Sequence, residues 1–260
     1  MIPKIIHYCW FGRGPKPELA QKCIESWRRW CPEYEIVEWN EDSFDINSKR
    51  YVKEAYEAKK FAFVTDYVRL YAMYTVGGVY MDTDVMLLKS LDEYLCHEIF
   101  AGFETKDKIQ TGIMASVQGQ AIIGQLLEYY NEISFLNKDG TLNLTTNVET
   151  ITNIMLSKGF VPNGEFQIVD GFTIYPTNIF CPDHKKLGDS IYMADTATIH
   201  YFSGSWKSDS ARKRERSIWW KAVAVPGMKI SKMMTALFGE RWVSVKNKLR
   251  DYIFGEKTRK

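Results

Sequence analysis

The stretch Gly77-Gly78-Val79-Tyr80-Met81-Asp82-Thr83-Asp84 decides how the rest of this chain is interpreted. It places two carboxylates two residues apart, at the end of a short apolar run that favours a β-strand. If the run stays extended through Asp84, both carboxylates lie on one side of the strand, because side chains two residues apart in a strand share a face. The glycine pair separates this strand from a preceding helix.

Two carboxylates this close repel each other unless a cation lies between them. Hard divalent cations such as Mg²⁺ and Mn²⁺ prefer carboxylate oxygens, and a cation held in this way keeps positions open for phosphate oxygens. Asp82 and Asp84 therefore predict a metal-assisted site for a phosphorylated ligand such as a sugar nucleotide. An isolated D-x-D triplet is more often a solvated turn, but the buried strand before this one favours the metal site.

Composition favours a compact protein in a reducing compartment. The chain has 260 residues, 45% of them apolar, which suits one domain or one domain with an appendage. Its five cysteines include no C-x-x-C pair, which argues against a disulfide framework or a zinc site. The N-terminal sequence has no signal-peptide pattern, and no apolar run approaches the roughly 18–20 residues that cross a bilayer. We therefore expect a cytoplasmic protein.

Alternating strand and helix patterns predict an α/β fold with a mostly parallel sheet flanked by helices. In such folds ligands lie beyond the carboxyl ends of the strands, so residues 9–12 and 82–84 are expected to face one cleft. Strands are predicted at 5–11, 34–39, 79–81, 99–103, 113–117, 172–175 and 198–202. Helices are predicted at 17–30, 51–59, 61–75, 121–133 and 148–157.

Asp66 and Arg69 lie three residues apart on the otherwise apolar helix predicted at 61–75, so their side chains share a helix face. The ordinary interpretation is an ion pair packed against the core. The functional alternative is that both residues grip sugar hydroxyls, since a carboxylate accepts and a guanidinium donates hydrogen bonds in a fixed geometry. The two residues alone leave both interpretations open.

Residues 61–69 (FAFVTDYVR) leading into residues 77–84 (GGVYMDTD) resemble the DxD-containing sugar transferases of glycosyltransferase family 32. That family includes yeast-type α-mannosyltransferases and bacterial capsule and lipopolysaccharide enzymes, and the clostridial glucosylating toxins share its core motif. Residues 2–12 (IPKIIHYCWFG) also look like the family's first strand, and the resemblance covers residues 2–206. It implies a GT-A fold, a nucleotide-sugar donor, Mn²⁺ or Mg²⁺, and retention of the anomeric configuration.

Carried over by position, the resemblance implies roles in a donor site. Asp82 would contact ribose and metal, and Asp84 would be the direct metal ligand, so that the cation neutralises the departing diphosphate. Arg69 would join these two as a catalytic residue and would bind the donor sugar together with Asp66. Trp10 would stack on the nucleobase, as suits a flat aromatic ring, although a core tryptophan is the alternative.

The late segment 200–207 (HYFSGSWK) looks like the closing motif of these and related retaining transferases. There the resemblance implies that His200 is a third metal ligand and that Trp206 covers the diphosphate; neutral imidazole suits Mn²⁺. An ordinary strand-end histidine is the alternative for His200. Relatives often carry an Asn that touches the donor sugar where this chain has Gln110 and Thr111. One of these two residues is expected to replace it, which leaves the sugar's identity open.

Residues 207–260 are predicted to form a basic, amphipathic helical tail on a catalytic domain at 1–206. The tail has 15 basic and 5 acidic residues, a net charge of +10, whereas residues 1–206 have 19 basic and 27 acidic residues, a net charge of −8. Apolar residues including Trp219 and Trp220 are interleaved with the basic ones, which favours contact with an anionic membrane surface. Packing of the tail on the core is the alternative, and no recognised motif favours nucleic acid.

The residues and the resemblance together predict a metal-dependent, retaining hexosyltransferase, cytoplasmic or peripheral at the inner face of the plasma membrane. Its expected donor is a UDP-sugar in preference to GDP-mannose. Its expected acceptor is a polysaccharide, a glycolipid or a lipid-linked oligosaccharide, as in capsular polysaccharide or lipopolysaccharide biosynthesis. A non-catalytic module that binds a cation or a nucleotide sugar is the alternative from another class, and a nucleotide-sugar hydrolase is a third interpretation. The sequence predicts neither a catalytic base nor a nucleophile.

Overall fold

The computed structural model describes residues 1–182 and 195–204, which form an α/β fold with strands in two sheets. The predicted tail at 207–260 lies outside the described residues. The strands of the described part are β1 (Ile5–Cys9), β2 (Glu35–Trp39), β3 (Gly78–Met81), β4 (Val85–Leu87), β5 (Ile99–Thr105), β6 (Lys108–Ser116), β7 (Gln167–Val169), β8 (Phe172–Tyr175) and β9 (Thr198–His200).

The α-helices cover the faces of the larger sheet. Helix α3 is almost entirely buried, because its sequence is apolar on most sides, and it supplies residues to the core cluster that lies under α2, α4 and α5. In the described residues no helix combines the length and the apolar character that a membrane crossing requires. The helices are α1 (Glu18–Trp30), α2 (Arg50–Glu57), α3 (Phe61–Thr75), α4 (Ala121–Glu132), α5 (Asn147–Ser157) and α6 (Thr177–Phe180).

The larger sheet has seven strands in the order β2-β1-β3-β6-β5-β8-β7. Strand β1 pairs in parallel with β2 and β3, and β5 pairs in parallel with β8, whereas β6 and β7 run in the opposite direction. Five of the seven strands therefore point the same way. This mixed, mostly parallel sheet flanked by helices confirms the predicted fold class.

Two glycines form the sharp connection between α3 and β3. Gly77 and Gly78 have φ angles of +76° and +113°, in the left-handed region that favours glycine. A Cβ on Gly77 would lie 2.7 Å from the backbone nitrogen of Gln118, and one on Gly78 would lie 2.7 Å from the carbonyl oxygen of Ile5. The backbone of β3 can therefore lie beside β1 because Gly78 lacks a side chain, and the absence of one at Gly77 leaves room for the backbone at Gln118.

The chain does not stay extended through Asp84, so the condition under which both carboxylates would share one face of a strand is not met. Strand β3 ends at Met81, where the Asp82 backbone N–H still donates to the Gly112 carbonyl at 2.8 Å. The Val85 N–H then donates to the Asp82 carbonyl at 3.0 Å and closes a turn. The chain turns here because it leaves the larger sheet to form β4, which pairs with β9 in a separate two-stranded sheet. The turn, and not an extended strand, decides where the two carboxylates point.

Candidate metal and donor site

Asp82, Asp84 and His200 each bring one ligand atom within 4.8 Å of the others. The two aspartates lie in the turn after β3, and His200 is the last residue of β9. Antiparallel pairing of β4 with β9 sets Val85 opposite His200 and so brings the imidazole beside the turn. The His200 Nε2 and Asp84 Oδ1 atoms are 3.2 Å apart. The structure thus brings together the three ligands predicted from distant parts of the sequence.

The backbone that follows β9 wraps around Asp84. The Ser203 N–H donates to Asp84 Oδ2 at 2.7 Å, and the Tyr201 N–H donates to the Asp84 carbonyl at 3.0 Å. On the other side the His200 ring stacks on Phe202, with ring centroids 4.0 Å apart. Asp84 therefore has one carboxylate oxygen turned to His200 and the other held by the backbone.

Gly112 on β6 makes room for the His200 imidazole. A Cβ at this position would lie 2.8 Å from both Cε1 and Nδ1 of His200 and 3.5 Å from Oδ2 of Asp82. Real Cβ atoms do not approach this closely, so any larger residue must displace the ring. The glycine is therefore part of what allows His200 to reach the aspartates.

The three ligands differ in how their environment affects protonation. Burial opposes the charge of Asp84, but hydrogen bonds from His200 and Ser203 outweigh it and lower the pKa of Asp84 to about 2. Burial likewise opposes the charge of His200, but the Asp84 carboxylate, with Asp82 adding to it, raises the pKa of His200 to about 10. Burial raises the pKa of Asp82, and the charges of Arg69 and His200 oppose that shift. Without a metal ion, Asp84 and His200 form a charged pair.

The chemistry of this donor set fits a divalent cation. Two carboxylates and an imidazole suit Mn²⁺, and Mg²⁺ would use the carboxylates. A cation bound by the imidazole requires it to be neutral, so binding would release the proton that Asp84 holds on His200. These residues are the ones that would hold the metal.

Arg69 links the turn that contains Asp82 and Asp84 to helix α3. Its Nη2 atom lies 3.2 Å from Asp82 Oδ1 and 3.3 Å from Asp66 Oδ1, and its Nη1 donates to the Thr111 carbonyl at 2.6 Å. The guanidinium also lies over the Tyr80 ring, 4.5 Å from its centroid. Only 6% of the Arg69 side chain is exposed. Arg69 is therefore more than a partner of Asp66, because it compensates the buried carboxylate of Asp66 and the partly buried carboxylate of Asp82 at once.

Asp66 lies behind Arg69 and is buried. Its Oδ2 atom accepts a hydrogen bond from the backbone N–H of Asn147 at 3.3 Å. Burial raises the pKa of Asp66 to about 6, because the favourable charge of Arg69 only partly offsets desolvation and the charge of Asp82 adds to the rise. The pair thus packs against the core and also borders the turn that contains Asp82 and Asp84, so both interpretations that the sequence left open for Asp66 and Arg69 stay open.

The remaining predicted donor-site residues have different surroundings. Trp10 follows β1 at the edge of the sheet where Asp82 follows β3; it is partly buried, and its indole N–H donates to the Gly14 carbonyl at 2.7 Å. Gln110 is fully buried, and neither atom of its amide has a hydrogen-bond partner among the residues that the structure describes. Thr111 is also buried, and its carbonyl binds Arg69. The predicted lid residue Trp206 lies outside the described residues.

Sequence reasoning missed Glu104, which is near the end of β5 and partly buried. Burial raises the pKa of this carboxyl; the charge of His200 opposes the rise and that of Asp82 adds to it. Glu104 is therefore a further carboxylate within electrostatic reach of the cluster. Its local sequence gave no signal, because only the pairing of β5 with β6 brings it toward the residues after β3.

The part of the chain that contains the aspartates matches a known family. Residues 17–101 match the family described as "Glycosyltransferase sugar-binding region containing DXD motif". The chain is 28% identical over 142 residues to inositol phosphoceramide mannosyltransferase 3 of Schizosaccharomyces pombe, a match that covers 52% of this chain and 38% of that protein. It is 23% identical over 198 residues to uncharacterized glycosyltransferase L373 of Acanthamoeba polyphaga mimivirus, covering 70% of this chain and 78% of that protein.

Solved glycosyltransferase structures are also similar to this chain. The PaToxG glycosyltransferase covers 49% of the chain (58% of its own length) at 18% identity and a TM-score of 0.40. A glycosyltransferase involved in glycosylation of the PBCV-1 major capsid covers 82% (98% of its own length) at 11% identity and a TM-score of 0.43. Galactosyltransferase LgtC covers 80% (91% of its own length) at 14% identity and a TM-score of 0.42.

The family match includes four of the residues that surround the candidate site. Asp66, Arg69, Asp82 and Asp84 lie inside residues 17–101, whereas His200 and the residues of β6 lie outside them. The resemblance inferred from residues 61–69 and 77–84 is therefore confirmed. Residues 17–101 of the chain are similar to the sugar-binding region of the DXD-containing glycosyltransferases.

Proposed function

We propose that this protein is a metal-dependent glycosyltransferase that moves a hexose from a nucleotide sugar to a carbohydrate or glycolipid acceptor. The observation that carries the proposal is the convergence of Asp82, Asp84 and His200 beside the buried pair of Asp66 and Arg69. A binding module for a cation alone would have no need for a buried arginine that compensates both Asp66 and Asp82.

The proposal assigns the three ligands to a divalent cation, Mn²⁺ or Mg²⁺, and when bound that cation would supply Lewis-acid neutralisation of a leaving diphosphate. Arg69 holds the Asp82 carboxylate in place through its 3.2 Å contact. Asp66 and Arg69 would hold sugar hydroxyls, and Trp10 would stack on the base. We assign UDP-sugars as the donor class in preference to GDP-mannose, following the family resemblance.

Gln110 supports a polar ligand near this edge of the sheet. A buried amide with neither atom paired is costly, because it has lost its hydrogen bonds to water. A Cβ on Gly102 of β5 would lie 2.8 Å from the Gln110 Nε2 atom, so the neighbouring strand leaves room for the amide. We infer that a sugar hydroxyl pairs with Gln110 in the loaded protein, and that Thr111 lines the same part of the donor site.

Retention of the anomeric configuration is part of the proposal. The resemblance implies it, and the sequence offers no clear nucleophile for a double displacement. Front-side attack, in which the departing diphosphate helps to accept the proton of the acceptor hydroxyl, needs no protein nucleophile. Nuclear magnetic resonance of the product anomer would test this assignment directly, and an inverted product would contradict it.

The test of the function compares wild type with Asp84→Asn and with the exposed control Asp139→Asn. Thermal shifts are measured with UDP-, GDP- and CMP-sugars in Mn²⁺, in Mg²⁺ or in chelator, because a ligand that binds only the folded state stabilises it. Release of free nucleotide is then measured with and without acceptor glycans. We expect a metal-dependent shift and acceptor-dependent release in wild type and Asp139→Asn, and neither in Asp84→Asn.

Two other results would contradict transfer. A metal-dependent thermal shift without nucleotide release under any acceptor condition would favour the binding module. Release that no acceptor accelerates would favour a hydrolase. Both outcomes can be distinguished from the absence of any nucleotide-sugar site, because wild type would then show no thermal shift with any ligand.

For the C-terminal region we propose contact with an anionic membrane surface that presents a lipid-linked acceptor. The net charge of +10 in residues 207–260 supports this, and one relative is named as a mannosyltransferase of inositol phosphoceramide, a lipid. Sedimentation with phosphatidylserine vesicles tests it. The full chain should pellet, a variant with Arg212, Lys213, Arg214 and Arg216 changed to Gln should not, and equal pelleting would contradict the proposal.

A further inference from the structure

Asn147 is a buried polar residue that no sequence pattern singled out. It is the first residue of α5 and is only 1% exposed. Its side-chain Nδ2 donates to the backbone carbonyl of Asp66 at 2.9 Å, and its backbone N–H donates to Asp66 Oδ2 at 3.3 Å. One residue of α5 therefore contacts both the main chain and the carboxylate of Asp66.

The start of α5 explains why this backbone N–H is available. The first N–H groups of a helix have no partner within the helix, and they attract a carboxylate. Thr146 caps the helix by accepting a hydrogen bond from the Glu149 N–H at 3.4 Å, which leaves the Asn147 N–H for Asp66. The side-chain bond fixes α5 at the distance from α3 at which this second bond can form.

Asn147 is the far end of a chain of contacts that reaches the metal ligands. Asp66 Oδ2 binds Asn147, Asp66 Oδ1 lies 3.3 Å from Arg69 Nη2, and the same Nη2 lies 3.2 Å from Asp82 Oδ1. With one oxygen of Asp66 held on each side, the carboxylate has little freedom to rotate. The orientation of Asp66 therefore depends on α5 as well as on its own helix.

We propose that Asn147 is a positioning residue for the donor sugar, acting through the Asp66 carboxylate. The inference rests on the proposed function, because it assigns Asp66 to the sugar part of a nucleotide sugar. It assigns no contact between Asn147 and substrate. The rival explanation is that Asn147 only joins α5 to the core, in which case its loss would lower stability and leave sugar recognition unchanged.

Two substitutions separate the two bonds. Asn147→Ala removes the side-chain bond to the Asp66 carbonyl and a longer bond, at 3.5 Å, that Asn147 Oδ1 accepts from the Tyr130 hydroxyl, but it keeps the backbone N–H that binds the Asp66 carboxylate. Asn147→Pro also removes the N–H that binds the carboxylate, and its ring carbon takes the position of that hydrogen. Proline is tolerated at the first position of a helix. The preceding Thr146 has ψ of 158°, a conformation compatible with a following proline. The matched control is Asn143→Ala, which removes a local bond from the Thr145 N–H and does not touch Asp66.

The experiment measures the affinity of the full-length protein for a UDP-sugar and for UDP, each with Mn²⁺, by calorimetry. UDP binds through the base and diphosphate and reports that the fold and the metal ligands are intact. We expect Asn147→Pro to weaken the UDP-sugar by about tenfold or more, Asn147→Ala by less, and Asn143→Ala not at all, with UDP unchanged in all three. In an Asp66→Ala background, Asn147→Ala should have no further effect, because the two residues act as one unit.

The outcomes are distinguishable. Equal affinity of wild type and both Asn147 variants for the UDP-sugar would overturn the inference while leaving the proposed function in place, as would an equal loss for UDP and the UDP-sugar. An additive effect of Asn147→Ala in the Asp66→Ala background would also overturn it. If wild type binds neither UDP-sugars nor other nucleotide sugars, the proposed function fails first and the inference fails with it.

Discussion

Replacement of Arg69 by Met tests whether the centre of the site is a set of mutually compensating charges. The Arg69 guanidinium lies between Asp66 and Asp82, within 3.3 Å of each, and only 6% of its side chain is exposed. Removing one partner of a buried ion pair leaves an uncompensated charge and costs about 3–5 kcal/mol. Here the substitution affects two carboxylates and also removes the donor to the Thr111 carbonyl. We therefore expect the upper part of that range, a large share of a typical folding free energy of about 5–15 kcal/mol.

The assay is urea unfolding of Arg69→Met, Arg69→Lys and wild type at neutral pH. Arg69→Lys keeps the charge but loses the planar fork, so its loss should be intermediate. Arg13→Met is the control, because Arg13 and Asp42 approach more closely, at 2.7 Å, but their side chains are 61% and 72% exposed and screened by water. A loss below about 1 kcal/mol for Arg69→Met, the range of exposed pairs, would refute the reasoning.

Two further predictions concern His7 and Gly112. Burial lowers the pKa of His7, whose Nε2 donates to the Gly77 carbonyl at 2.8 Å while Nδ1 accepts from the Trp39 indole, so the folded state holds the ring neutral. The unfolded chain gains a proton there below about pH 6.5. As the pH decreases below that value, the free energy of unfolding should therefore fall by up to about 1.4 kcal/mol per pH unit. Urea unfolding at several pH values should show that His7→Gln removes this slope. Parallel plots of unfolding free energy against pH for wild type and His7→Gln would contradict the prediction. Gly112→Ala should weaken Mn²⁺ binding by about tenfold or more in calorimetry, because the new methyl group displaces the imidazole of His200, which we propose as a metal ligand. Gly124→Ala on α4 is the control and should bind Mn²⁺ as wild type does.

Much of the fold follows from local sequence, because the long elements have strong patterns. Helix α3 was predicted with its observed bounds, since its apolar sequence runs without interruption to the glycine pair. The short elements β4, β7 and α6 were missed, because three or four residues are too few to show a period. Strand β5 ends later and strand β6 begins earlier than predicted, because mostly polar residues between 104 and 112 are part of the hairpin. These residues are held by backbone pairing, whereas the prediction relied on runs of apolar side chains.

The residues of the candidate site also differ in whether local sequence or long-range pairing explains their positions. Asp82 and Asp84 were found because they lie next to each other in a recognisable motif, but their convergence depends on a turn that the strand pattern did not predict. His200 was reached only through the family resemblance, since its approach to Asp84 depends on the pairing of β4 with a strand 115 residues away. Asn147 was missed because its partner Asp66 is 81 residues distant and its role depends on where α5 begins.

The positions of His200 and Ser203 beside Asp84 depend on the pairing of two short strands, β4 and β9. Three residue pairs join β9 to β4, ending with Val85 and His200, and one backbone hydrogen bond beyond each end of this ladder adds to them. Local opening of so short a ladder removes His200 and the Ser203 N–H from Asp84 without unfolding the seven-stranded sheet. Binding of a cation would then stabilise the pairing of β9 with β4, and the rate of metal dissociation would depend on how often β9 separates from β4. Amide hydrogen exchange in residues 198–203 should therefore slow when Mn²⁺ is bound, while exchange in β1 and β3 should change little.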